Sequence, residues 1–182
     1  MASQLTKTQQ EFQDTLAECR TLFAKKLHDY GPSWRILRPS SLTDQLFIKA
    51  KRIRSLEITG ESLVGEGIRP EFIALINYSI VGLIQLERGF VDSVDMTADE
   101  ALALYDRYAK QAYELMLKKN HDYGEAWRDM GTSSYTDLIL TKIERIKEIE
   151  NLGGATLVSE GIDSNYMDIM NYAVFGAIKL HE

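Results

Sequence analysis

The stretch KKLHDYGPSWR at Lys25 to Arg35 recurs as KKNHDYGEAWR at Lys118 to Arg128, and this repetition at a spacing of 93 residues decides the fold. Working outward, SSLTD at Ser40 to Asp44 returns as SSYTD at Ser133 to Asp137, and Lys49, Arg52 and Ile53 return as Lys142, Arg145 and Ile146. After a one-residue insertion, LVGEGI at 63 to 68 matches LVSEGI at 157 to 162, and Asn77 and Tyr78 match Asn171 and Tyr172. The chain is a tandem duplication, with a first repeat over 1–90 and a second over 95–182. Units of this size draw little stability from a core of their own, so the halves are expected to pack together as one domain with pseudo-twofold symmetry.

Each repeat reads as three helices. Leu5, Phe12, Leu16, Cys19, Phe23 and Leu27 recur at spacings of three, four and seven, a single helical stripe that ends at Gly31. Its counterpart opens with Thr97 and Glu100, a capping box, and carries Leu102, Tyr105, Ala109, Ala112, Met116 and Leu117 toward Gly124. The second helices are expected to start near Ser41-x-x-Asp44 and Ser134-x-x-Asp137 and to stop before Gly60 and Gly153. The third run from about Pro70 to Leu86 and from about Ser164 to Leu180, with Pro70 suited to a first helical turn. Strand signals are scarce, so the expected architecture is all-α, a compact helical bundle built from two tandem homologous halves.

Composition narrows the function. The 182 residues are 45% hydrophobic and 26% charged, as in ordinary globular proteins. The longest nearly apolar run, Phe72 to Leu86, is shorter than the roughly 20 residues a spanning helix needs, so no membrane association is expected. Residues 1–14 lack the apolar core of a signal peptide, and the single Cys19 excludes an internal disulfide, which together suggest the cytoplasm. The net charge of −6 argues against wrapping a nucleic-acid backbone, since that binding relies on many Lys and Arg. The charge is uneven: residues 1–94 sum to +1 and residues 95–182 to −7. A small-molecule partner is expected, and the sequence is compatible with a monomer or a homodimer.

Two positions in each half break the helical pattern. Lys49 and Lys142 fall inside the apolar arcs formed by Leu46, Ala50, Ile53 and Leu56 and by Ile139, Ile143, Ile146 and Ile149. An ammonium pointed at a core must snorkel to water or meet an anion. Arg52 and Arg145, three residues on, lie at the rim of the same faces and could join each lysine on one anionic group. That anion is either a ligand phosphate or an internal carboxylate. Asn77 and Asn171 stand among apolar residues of the third helices, where a buried amide needs partners; Asp168 lies one turn before Asn171, while the first half has Ala74. An amide bridging helices and an aspartate at the bundle edge are the alternative to ligand contacts.

The HDYG segments also admit two readings. Lys25, Lys26 and His28 complement a helix dipole and Gly31 can cap it. Yet His28, Asp29, Tyr30, Trp34 and Arg35 return as His121, Asp122, Tyr123, Trp127 and Arg128, and such a loop could stack on a base and contact a sugar. Asp44 and Asp137 read as helix caps, and Glu144 and Glu148 as solvated surface.

On HDYG-x-x-WR, S-x-TD-x(4)-K-x-x-RI, EGI and NY, the chain resembles a duplicated member of the nucleotide-modification-associated domain family. That family is similar in turn to the all-α MazG-like and dimeric dUTPase-like nucleoside triphosphate pyrophosphohydrolases, which hold Mg²⁺ on E-x-x-E and E-x-x-D motifs and cleave a phosphoanhydride with a metal-activated water. Here no E-x-x-E stands on the second helices, and the later motif is divided: Glu71 with Ala74, and Asn165 with Asp168. The resemblance implies a protein that binds a nucleotide or related phosphorylated metabolite between its halves. Lys49, Arg52, Lys142 and Arg145 would hold phosphate, and Asn77 and the two HDYG loops would contact base or sugar. If a bond is cleaved, Asp168 and Asn171 would position metal or water, with Mg²⁺ at Asp168. A non-catalytic helical interaction module is the alternative.

Overall fold

Thr6 and Thr97 set the first helix of each half. Each hydroxyl accepts the backbone N–H of the third residue on, Gln9 or Glu100, whose side chain returns to the threonine N–H. The computed structural model describes residues 4–60, 67–153 and 161–181. The first half forms α1 (Lys7–Tyr30), α2 (Pro39–Thr59) and α3 (Arg69–Arg88); the second forms α4 (Ala98–Tyr123), α5 (Thr132–Asn151) and α6 (Ile162–His181). A 3-10 turn follows α1 at Ser33–Ile36 and α4 at Ala126–Asp129. No strand occurs among the described residues, and no helix among them is long and apolar enough to cross a membrane. Of the repeated LV-x-EGI segments, 63–66 and 157–160 lie outside the described residues.

Gly31 (φ 66°) and Gly124 (φ 63°) end α1 and α4 as expected, their amides donating to Leu27 and Asn120 carbonyls at 2.8 and 2.7 Å. The second helices start earlier than the Ser-x-x-Asp pattern suggests. Pro39 at the first helical turn and Thr132 place Ser41 and Ser134 already inside the helix, so these serines are not caps. Asp44 and Asp137 are exposed in the second turn, without a capping bond.

Helices α3 and α6 pack against each other at the centre, α2 and α5 flank them and touch, and α1 lies against both α4 and α6. The central approach is shaped by two notches. A Cβ placed on Gly82 of α3 would come within 2.6 Å of the Tyr166 ring of α6, and one on Gly176 of α6 within 2.8 Å of the Phe72 ring of α3. Gly82 and Gly176 occupy the same place in their repeats, as do Phe72 and Tyr166. Each half therefore seats its aromatic ring where the other half has no side chain. Both rings are fully buried, each contributing on the order of 2–3 kcal/mol of hydrophobic stabilisation.

Polar ties across the halves follow the same reciprocity. Thr43 Oγ1 donates to Glu150 Oε1 at 2.7 Å, and Thr136 Oγ1 donates to Glu57 Oε2 at 3.2 Å. Both threonines are buried, which explains why SS-x-TD recurs: its threonine joins α2 to α5. Arg69 of α3 adds a three-helix clasp, meeting Glu18 of α1 at 2.7 and 2.8 Å and the Ala177 carbonyl of α6 at 3.1 Å. That guanidinium holds the Glu18 carboxyl below its ordinary range.

Gly82→Ala or Gly176→Ala is expected to destabilise the protein by about 1–3 kcal/mol, although an ordinary mid-helix Gly→Ala gains about 0.5–1 kcal/mol. A raised urea midpoint in either variant would contradict the notch. Burial pushes the Cys19 thiol up from 9.0 to about 12. Because its folded value lies above its unfolded one, its contribution is complete below pH 9 and is lost as pH rises toward 12. The urea midpoint should fall between pH 8 and pH 10.5, and fall less in Cys19→Ala; equal slopes in the two proteins would refute this role.

Candidate functional site

The C-terminal turns of α1, the 3-10 turn behind Gly31, and the facing sides of α2 and α3 enclose a cleft of about 590 Å³. It lies wholly within the first half, not between the halves. Trp34 and Tyr30 form one wall, Lys26 and Lys49 contribute ammonium groups, and Glu71, Ala74, Asn77 and Val81 of α3 line the opposite side. The mixture is the usual chemistry of a small-molecule site: aromatic and apolar area with a few convergent polar groups.

The wall bearing Trp34 is fastened from behind. Gln85 Nε2 donates to the carbonyls of Trp34, Arg35 and Leu37 at 3.2, 2.8 and 2.9 Å. Arg35 turns inward and is only 2% exposed. Its guanidinium donates to Gln85 Oε1, to the Gly89 carbonyl at 2.6 Å and to Asp95 at 3.1 Å. A buried guanidinium needs this many acceptors, and they fasten Arg35 inside the fold. The same contact holds the Asp95 carboxyl below its ordinary range. Arg128, the second copy, meets Glu11 at 2.6 Å and Thr8 at 3.0 Å and lies over the Trp127 ring.

Charge in the cleft is organised around one carboxylate. Glu71, 6% exposed, has Arg52 at 3.1 Å from Oε1 and Lys49 at 3.7 Å from Oε2, and Oε2 accepts no hydrogen bond among the described residues. At 3.7 Å, Lys49 is an ion pair without a direct hydrogen bond. Lys26 meets no carboxylate among the described residues, because position 74 is alanine. In the second half, Asp168 is engaged at both oxygens, by Lys119 at 2.7 Å and Lys142 at 3.0 Å. Arg145 pairs with Glu148 at 2.9 Å on its own helix.

Of the residues expected to bind ligand, Tyr30, Trp34, Lys49 and Asn77 meet in the cleft, with Arg52 behind Glu71. Their counterparts do not assemble in the same way. Trp127 is buried against Phe175 and Lys142 is held by Asp168, whereas Tyr123 is as exposed as Tyr30. His28 with Asp29, and His121 with Asp122, are exposed neighbours 3.2 Å apart and do not line the cleft. The asparagines bridge helices: Asn77 donates to the Cys19 carbonyl at 3.2 Å and accepts from Tyr105 at 2.7 Å, while Asn171 donates to the Ala112 carbonyl at 3.2 Å. Asn171 Oδ1 has no partner among the described residues, since Phe12 stands where the repeat would supply a second Tyr105.

The Mg²⁺ expected at Asp168 does not suit these donors. Two ammonium groups occupy both oxygens and would have to be displaced, and no group of three or more acidic, His or Cys side chains suited to a metal is found among the described residues. Sequence reading missed Glu71 as the partner of Lys49 and Lys26 as part of the cleft. Lys26 and Lys119 stand in the repeated KK-x-HDYG itself, but their recurrence was equally explained by the helix dipole.

The profile of the nucleotide modification associated domain 1 family matches residues 26–86 and again residues 119–180. No curated protein and no solved structure matches the chain. The two family segments begin in the last turns of α1 and α4 and run through α2 and α3 and through α5 and α6, including both tryptophans and both Lys-bearing helices.

The tryptophans should report the asymmetry directly. Trp34 is half-buried on the cleft and Trp127 is 5% exposed. Acrylamide should quench Trp127→Phe, which retains Trp34, several-fold more steeply than Trp34→Phe; equal quenching would mean that the two walls are alike.

Proposed function

Because the chain belongs to the nucleotide modification associated domain 1 family, we propose that it binds a nucleotide or a closely related phosphorylated metabolite in the first-half cleft. The observation that carries this reading is the pairing, within one cleft, of an aromatic wall at Trp34 and Tyr30 with ammonium groups at Lys26 and Lys49. A base stacks on an aromatic face, and phosphate is met by ammonium charge. The indole N–H of Trp34 has no hydrogen-bond acceptor among the described residues and is available to a ligand.

The buried Glu71 keeps Lys49 in place when the cleft is empty. A phosphate would draw the ammonium forward at modest cost, because Arg52 remains on Glu71 at 3.1 Å and preserves its charge compensation. The reading is one of binding rather than hydrolysis. Metal-assisted cleavage of a phosphoanhydride needs a cation held by several oxygen ligands, and Glu71 is the one carboxylate lining the cleft among the described residues.

Calorimetric titration with ribo- and deoxyribonucleoside 5′-mono- and triphosphates, with and without Mg²⁺, tests the reading. Lys49→Ala should weaken binding tenfold or more, which is about 1.4 kcal/mol, whereas Lys142→Ala should leave it near the wild-type value. Absence of binding by every nucleotide, or unchanged affinity in Lys49→Ala, would refute it. The helical interaction module remains the competing reading, favoured by the ion pairing of both lysines. It requires that no nucleotide shift the melting temperature and that Lys49→Met melt at or above wild type.

A further inference from the structure

The two halves can be compared position by position, and among the exchanges at the cleft and beside it a few act on the lysines and the indole. Ala74 is replaced by Asp168, Val81 by Phe175, Glu71 by Asn165 and Pro32 by Glu125. In the second half the Asp168 carboxylate bridges Lys119 and Lys142 at 2.7 and 3.0 Å, the counterparts of Lys26 and Lys49. The Phe175 ring lies parallel to Trp127, the counterpart of Trp34, with centroids 4.4 Å apart and an interplanar angle of 14°. Glu125 accepts the Trp127 indole N–H at 2.9 Å, whereas the Trp34 indole N–H meets no acceptor among the described residues. Asn165 donates to the Gly161 carbonyl at 2.9 Å and is not a charge partner for the lysine.

We infer that the second half is a self-occupied copy of the cleft, in which Asp168 stands where a ligand's phosphate binds and Phe175 where its base stacks, so that the chain takes one ligand, in the first half. This rests on the binding reading above and specifies it. The anion belongs between Lys26 and Lys49, at the position left open by Ala74, and the flat ring belongs against Trp34, over Val81. Asp168 and Phe175 are seven residues apart on one helix, about 10 Å along its axis, so the ligand must hold its ring and its anion at a comparable separation. A base and a phosphate joined through a sugar satisfy that requirement, whereas free phosphate or a free base fills only one end.

The chemistry of the substituted pair supports an occupied rather than a collapsed site. Simple collapse would replace the lysines by apolar residues; instead both lysines persist and acquire an internal anion. The ring at 175 is added on the same helix face, and its stack on Trp127 buries the indole to 5% exposure. Both halves thus retain a two-ammonium and indole frame, one filled by the chain itself and one left open to a cleft of about 590 Å³.

The test uses the full chain and the deoxyribonucleoside 5′-triphosphate that most raises the wild-type melting temperature. Calorimetry should give one site per chain. Ala74→Asp should supply the internal anion and weaken binding more than tenfold while raising the melting temperature; Ala74→Asn, of equal size but uncharged, should lose less affinity. The double variant Asp168→Ala/Phe175→Val should open the second cleft, giving two sites per chain and making Trp127 accessible to acrylamide. Two sites in the wild type, unchanged affinity in Ala74→Asp, or a folded double variant with one site and a protected Trp127 would each overturn the inference while leaving nucleotide binding intact. Absence of nucleotide binding in the wild type removes the binding reading and this inference with it. Should the double variant not fold, the Ala74→Asp and Ala74→Asn pair decides alone.

Discussion

Everything else in the molecule depends on how closely α3 and α6 approach, and that distance is set by two glycines. Gly82 receives the Tyr166 ring and Gly176 receives the Phe72 ring, each at a separation that no Cβ would tolerate. Seating a large ring in a backbone notch brings two helices together without creating a void, because interiors must be filled to crystal-like density. Once the central pair is fixed, α2 and α5 come within reach of each other's ends, where Thr43 meets Glu150 and Thr136 meets Glu57. The outer faces of α2 and α3 are then turned toward the α1 end and its 3-10 turn, and the cleft forms there.

Duplication made the frame, and divergence at a few positions made the halves unequal. Exchanging alanine for aspartate at 168 changes which group neutralises the lysines. Moving the first-half carboxylate one turn back to Glu71 lets Arg52 share it and leaves the neighbourhood of Ala74 open. Valine at 81 leaves room in front of Trp34, where phenylalanine at 175 covers Trp127. Tyr105 against Phe12 shows the same process at a bridging asparagine: one amide oxygen gains a hydroxyl donor and the other does not. None of these exchanges touches the glycine notches, so the frame tolerates them.

Much of this architecture was legible in the chain. Helical stripes, capping boxes and the terminal glycines are local signals, since each depends on contacts within one or two turns. The second helices show the limit of such signals: Ser41 and Ser134 resemble caps, yet Pro39 and Thr132 begin those helices earlier. Of the site, the anomalous Lys49 and Lys142 could be recognised because a charge on an apolar arc demands an anion. Its identity could not, because Glu71 and Asp168 stand on another helix, one turn out of register with each other. Arg35 illustrates the converse: its recurrence beside Trp34 suggested ligand contact, whereas its guanidinium is consumed by Gln85, Gly89 and Asp95 inside the fold.

The sequence by itself determined that the chain is all-α, that it is a doubled unit, and which residue types each unit preserves, because periodicity and repetition are properties of the chain alone. Only the tertiary structure decided which lysine is matched to which carboxylate, which tryptophan is covered, and that the open cleft lies inside the first half. Those outcomes depend on distances between helices that are remote in sequence, and a difference of one helical turn or a few carbon atoms, as between Glu71 and Asp168 or Val81 and Phe175, is enough to reverse them.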